Sequence, residues 1–147
     1  MSTMHRILAG AAAALFLAAA AHAAGWTEDY ASALALAKKE HKLLLLNFTG
    51  SDWCPWCKKF DAEIFATKKF EDFASEKLVL VTLDFPKERE LPKAVTDRNA
   101  ALQKKYGVEG FPTIVVLDSS EKVVLKQEGY MQGGPEAFLA LFPKPEK

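Results

Sequence analysis

"GSDWCPWCKKF", residues Gly50–Phe60, holds both cysteines of the chain, two of its three tryptophans, and a proline between the thiols. By spacing alone, Cys54 and Cys57 are a reaction centre, half of a metal site or a structural staple. The flanking sequence is the first guide. "KLLLLNF", Lys42–Phe48, is a continuous apolar run closed by Thr49 and Gly50, which reads as a strand buried on both faces. Beyond the cysteines, Phe60 and Ile64 stand four apart, so Cys54 opens a helical pattern.

Working outward, Thr27 is placed as the N-cap of a helix from about Glu28 to Glu40, with Tyr30, Ala33, Leu34 and Ala37 at helical spacing. Thr67 caps a second short helix carrying Phe70 and Phe73, and Leu78–Leu83 reads as another buried strand. "DFPKERELPKAVT" mixes two prolines with dense charge and is expected to be a solvated connection. A helix from about Asp97 to Tyr106 ends at Gly107 as a C-cap. Ile114–Leu117 and Val123–Leu125 form a hairpin across "DSSEK". Pro135 then begins a last helix whose inward stripe is Phe138, Leu141 and Phe142. Crossover units followed by a terminal hairpin predict an α/β fold.

The first 26 residues, "MSTMHRILAGAAAALFLAAAAHAAGW", set His5 and Arg6 before an apolar run ending in Ala21-His22-Ala23, a small-x-small cleavage site. This predicts a secretory signal peptide over residues 1–23. The run is shorter than the ~20 residues a membrane-spanning helix needs, and no basic stop-transfer flank follows. Removing 23 of 147 residues leaves 124, enough for one domain over residues 24–147 with its own core. The leader carries one basic residue and no acidic one, so 18 basic and 19 acidic residues remain. Near-neutral charge gives no footprint for nucleic acid or anionic lipid. The alanine-rich leader points to a bacterial periplasm, where disulfides persist.

Structural zinc takes four ligands, and the mature chain offers only His41 besides the cysteine pair, so no metal is expected. As a staple the pair would close too small a loop to remove much unfolded-chain entropy. Redox chemistry remains. A first sulfur at a helix start is stabilised as thiolate by unpaired backbone N–H groups, which makes Cys54 the exposed nucleophile and Cys57 the more buried resolving thiol.

"WCPWCK" at the end of the first core strand and "GFPT" before the strand pair stand in the order in which the thioredoxin superfamily carries them. The chain resembles that superfamily over nearly all of its mature domain. The resemblance implies a thioredoxin-like fold, a central mixed β-sheet flanked by helices, with no cofactor. It implies that Pro112 is cis beside the disulfide, that the backbone of Phe111 pairs with an extended substrate segment, and that Trp53, Pro55 and Trp56 shape the docking surface. "LLLLNFTGSDWCPWCKKFDAEIF" is most similar to small exported thioredoxin-like proteins and to the periplasmic thiol-carrying domain of the transmembrane reductant DsbD.

Two departures bear on mechanism. Many thioredoxins place a buried aspartate before the motif to handle the resolving thiol's proton, and the nearest position here is Asn47, which accepts no proton at neutral pH. Glu63 or water would have to serve. The strongest oxidases of the family carry histidine where this chain has Trp56. With Asp52 opposing thiolate formation and Lys58 and Lys59 favouring it, the Cys54 pKa is expected nearer the ~7 of thioredoxin than the ~3.5 of a strong oxidase. A higher thiol pKa goes with a more reducing couple, hence a reductase or electron relay acting on protein disulfide or thiol clients. A membrane thiol transporter is a candidate electron donor, and a monomer is expected. The other class of reading is a binding module that holds Cu(I) or a protein partner through the two thiols without turnover.

Overall fold

The computed structural model describes residues 25–144. The expected leader, residues 1–23, lies outside the described residues. Strand β1 (Trp26–Thr27) is followed by helix α1 (Tyr30–Glu40), β2 (Leu43–Thr49), α2 (Pro55–Phe60), a π-helical turn (Asp61–Phe65) and α3 (Lys68–Lys77). Then come β3 (Leu78–Asp84), α4 (Lys93–Lys105), the hairpin β4 (Thr113–Leu117) and β5 (Val123–Glu128), and α5 (Gly134–Leu139).

The five strands form one sheet in the order β1-β3-β2-β4-β5. β1 and β2 run parallel to β3, whereas β4 is antiparallel to β2 and β5. The leucine run is continuous because β2 is central and covered on both faces. Leu45, with Leu80, Ile114 and Val116, packs against Phe60, Ile64, Phe70 and Phe138 on one side. Leu44, Leu46 and Phe48 face the other way, onto Ala33, Ala37 and Leu102 of α1 and α4. Rings of Phe60, Phe65, Phe70 and Phe138 meet at centroid distances of 4.8 to 6.2 Å, each such pair worth about 0.5–1.5 kcal/mol beyond the area it buries.

Several boundaries differ from the sequence reading. Thr27 is not the cap of α1. It lies in β1, and the cap is Asp29, whose carboxylate accepts the Ser32 N–H at 3.1 Å. Helix α4 begins at Lys93, four residues before the expected start, so the solvated connection shrinks to the stretch before it. Its other end follows expectation: Tyr106 is the cap, and Gly107, at φ 60°, and Val108 donate back to Lys104 and Gln103 at 3.2 and 2.9 Å. Leu141 is not inward. Helix α5 stops at Leu139, leaving Leu141 45% exposed while Phe142 turns into the core.

Candidate active site

The chain leaves β2 at Thr49 and turns on Gly50, whose carbonyl accepts the N–H groups of Trp53 and Cys54 at 3.3 and 2.9 Å. Cys54 is the N-cap of α2, extended at φ −93° and ψ 104°, with Pro55 in the first turn, where its missing N–H costs nothing. The Cys54 sulfur accepts the Cys57 N–H at 3.2 Å, and the two cysteines are joined in a disulfide with Cα atoms 5.3 Å apart. The sequence reading made Cys54 exposed. In this oxidised form it is buried, at 4% against 1% for Cys57, its sulfur bonded to Cys57 and accepting the N–H at the helix start.

The loop carrying the pair is tied down from below. Buried Asp84, at the end of β3 opposite Thr49, accepts the Ser51 N–H at 2.9 Å, the Ser51 hydroxyl at 2.6 Å and the Arg89 guanidinium at 2.6 Å. Its backbone carbonyl takes a hydrogen bond from buried Asn99 of α4 at 3.0 Å. Trp53 donates its indole N–H to the Phe85 carbonyl at 2.8 Å and carries Lys87 over its ring at 3.7 Å. Asp52 accepts the N–H groups of Lys87 and Glu88 at 3.0 and 2.8 Å, and these bonds hold its carboxyl below the usual carboxylate range. The anion expected beside Cys54 is therefore engaged by the loop after β3.

From the other side of β2 comes the second motif. The Phe111–Pro112 bond is cis, and Thr113 pairs with Phe48, which sets this turn at the end of the strand from which the dithiol loop departs. The Pro112 carbonyl accepts the Gly129 N–H at 2.8 Å. Phe111 meets Trp53 edge to face at 6.0 Å. Trp56, 55% exposed, lies 5.4 Å from the Tyr130 ring, and Lys59 stands 4.8 Å from that same ring. Trp56, Phe111, Gly129 and Tyr130 line a cleft of about 260 Å³. Phe111 thus stands between Trp53 on one side and the Trp56 cleft on the other, with Pro55 and Pro112 next to them in the chain. Glu63, exposed on the π-helical turn, accepts the Tyr130 hydroxyl behind this cleft and faces Lys59 at 3.9 Å.

Asn47 is buried on the sheet face that looks toward α2, and the group it meets there is Asp61, a residue the sequence reading passed over. Along this face β2 changes from Leu45 to Asn47 and Thr49, and β3 from Leu80 to Thr82 and Asp84. Register sets Asn47 beside Thr82 and Thr49 beside Asp84, so a polar nook replaces the apolar core under the dithiol helix. Asp61 follows Cys57 by one turn, donating its N–H to the Cys57 carbonyl. The turn then widens, with the Ala66 N–H reaching the Asp61 carbonyl five residues back at 2.8 Å. Burial pushes the Asp61 carboxyl up to about 6 and the charge of Asp84 adds to this, while the hydrogen bond from Asn47 opposes both. A carboxylate four residues after the second cysteine, on the same helix face, is the signal from which it could have been found.

A family model described as a thioredoxin-like domain matches residues 30–144. The disulfide bond reductase DsbH of Chlamydia pneumoniae is 38% identical over 113 residues, which cover 77% of this chain and 68% of that protein. The thiol:disulfide interchange protein DsbD of Photorhabdus laumondii subsp. laumondii is 28% identical over 92 residues, 60% of this chain but 14% of that much longer protein. The solved structure of a DsbH oxidoreductase superposes with a TM-score of 0.74 at 34% identity, over 90% of each chain.

Proposed function

Because the chain belongs to the thioredoxin-like domain family and has that family's fold, we propose that it is an exported thiol:disulfide oxidoreductase that passes electrons from its Cys54/Cys57 dithiol to client disulfides. The observation that carries this reading is the cysteine pair at the start of α2 with the Phe111–Pro112 turn beside it. Residues 24–147 are the working domain and residues 1–23 its leader, and the periplasm is where the dithiol operates. A membrane thiol transporter is the class of donor that would return it to the reduced state. The reductase direction draws support from the uncharged Trp56 before the second cysteine and from the likeness to a disulfide bond reductase.

In the forward reaction the Cys54 thiolate attacks one sulfur of a client disulfide. A Cys54–client bond forms, the client S–S bond breaks, and the first client thiolate leaves. The Cys57 thiol then gives its proton to the Asp61 carboxylate and attacks the Cys54 sulfur. The Cys54–Cys57 disulfide closes and the second client thiolate departs, two electrons having passed to the client. Asp61 suits this role better than Glu63, being a half-buried carboxyl one turn from Cys57 whose pKa is pushed up to about 6. Trp53, Pro55, Trp56 and the Phe111–Pro112 turn form the face on which an extended client segment lies.

Replacing the resolving thiol tests the reading. Cys57→Ser should accumulate clients as mixed disulfides on Cys54 in an exported extract, and Cys54→Ser should trap few. A pair that exchanges with neither insulin nor any exported disulfide would remove the proposal, and sub-micromolar Cu(I) binding by such an inert pair would put the binding-module reading in its place.

A further inference from the structure

The polar nook beneath α2 opens into a chamber of about 340 Å³ whose lining includes Trp26, Asn47, Thr49, Asp61, Glu71 and Thr82. That is room for several water molecules. Three features mark it as more than a packing fault. Asp61, directly after the dithiol helix, and its partner Asn47 both line it. Thr49, itself buried, presents a hydroxyl with no protein partner among the described residues, an arrangement that buried polar groups resolve by binding water. The largest side chain in the lining belongs to the two-residue strand β1: Trp26, held in register with Leu80, has its ring 4.9 Å from Phe65 and 6.4 Å from Phe70 and is 38% exposed.

We propose that this chamber is the route by which the proton taken up during resolution reaches bulk water, and that Trp26 is the positioning residue that governs how far water enters it. The proposal rests on the reading of the pair as a thiol:disulfide oxidoreductase with Asp61 as proton acceptor. Once Cys57 has given up its proton and closed the disulfide, Asp61 is a neutral acid. Its O–H bond breaks toward a chamber water hydrogen-bonded to the Thr49 hydroxyl, and the carboxylate is restored for the next cycle. No oxidant or reductant beyond the client disulfide enters this step.

The groups facing Asp61 fix the sign of the effect. From β2 comes the neutral Asn47, from β3 the Asp84 carboxylate already paired with Arg89, and from α3 Glu71 at the chamber wall. Nothing cationic in this set pairs with Asp61 itself, so its ionisation depends on water. Removing the indole hydrates the carboxylate, favours its charged form and lowers its pKa.

The test uses the full mature chain, reduced, with a peptide disulfide as substrate, and follows both the Asp61 carboxyl by NMR titration and the pH dependence of exchange. Trp26→Ala should move the Asp61 titration and the acid limb of the rate profile down together by about one pH unit, and Trp26→Phe by less than about half of that. Thr49→Val should slow the limb several-fold while leaving the client-attack step at Cys54 to set the rate at high pH. A Trp26→Ala titration within about 0.2 unit of the parent, with the limb still abolished by Asp61→Asn, overturns the proposal and leaves the oxidoreductase reading intact. If Asp61→Asn leaves the limb in place, the assignment of Asp61 itself falls. Should Trp26→Ala not fold, Trp26→Phe and Thr49→Val carry the same decision, and an unaltered profile in both overturns the proposal.

Discussion

Gly50 has no side chain because Trp53 occupies the space one would need: a Cβ there would lie 2.5 Å from the indole Cε2. The ring is anchored by its bond to the Phe85 carbonyl and so has little freedom to retreat. Gly50→Ala should therefore destabilise the fold by about 1–3 kcal/mol in urea titration and slow disulfide exchange, since the displaced indole flanks Cys54. Asp61 makes the opposite case, a residue that costs stability to keep. A carboxyl raised from 3.8 to about 6 holds its proton more tightly folded than unfolded, so this group's own contribution to stability is greatest below pH 4 and is lost as pH rises through 6. Asp61→Asn should stabilise the protein at pH 7 by about 1–2 kcal/mol, a figure reduced for the group's partial exposure, and the gain should vanish below about pH 4. Chemical denaturation at the two pH values checks both halves. The sequence hides this residue well. Asp61 sits among Lys58, Lys59 and Glu63 and looks like one more solvated helix charge, and only the inward turn toward Asn47, a partner from β2, makes it unusual.

Elements whose cause is local were legible and those whose cause is remote were not. The Leu43–Leu46 run announces a strand covered on both faces, and Thr67 announces the start of α3, where its hydroxyl oxygen accepts the Phe70 N–H at 3.3 Å. Thr67→Ala should cost about 1 kcal/mol, read from the shift in denaturation midpoint at constant slope. Strand β1 carries no such mark, because two residues make no pattern and its reason for existing is the open edge of β3. The start of α4 was missed because its cap is Pro92, which supplies no side-chain hydrogen bond, and because the charged residues around it read as loop. The cysteine helix and the Phe111–Pro112 turn were both recognisable by motif. Their juxtaposition depends on β2 lying between β3 and β4, which no single segment states.

For the molecule as a whole, the direction of electron flow and the stability of the two redox forms are one quantity. A couple that reduces its clients must stabilise its fold more with the disulfide closed than with the thiols free, at about 1.4 kcal/mol for each 30 mV of potential. The oxidised protein should thus unfold at higher urea than the protein held in dithiothreitol; the reverse order would mark an oxidant. Between these states the described sheet has little reason to change, since the disulfide lies beyond its edge. Here the central place of β2 has a further consequence. Its amide hydrogens, flanked by β3 and β4, should be among the last in the chain to exchange with deuterated solvent in either form. The boundary between slow and fast exchange should fall within a few residues of Gly50, so that a mass-spectrometric deuterium map would show a step in one short peptide where the strand hands over to the dithiol loop.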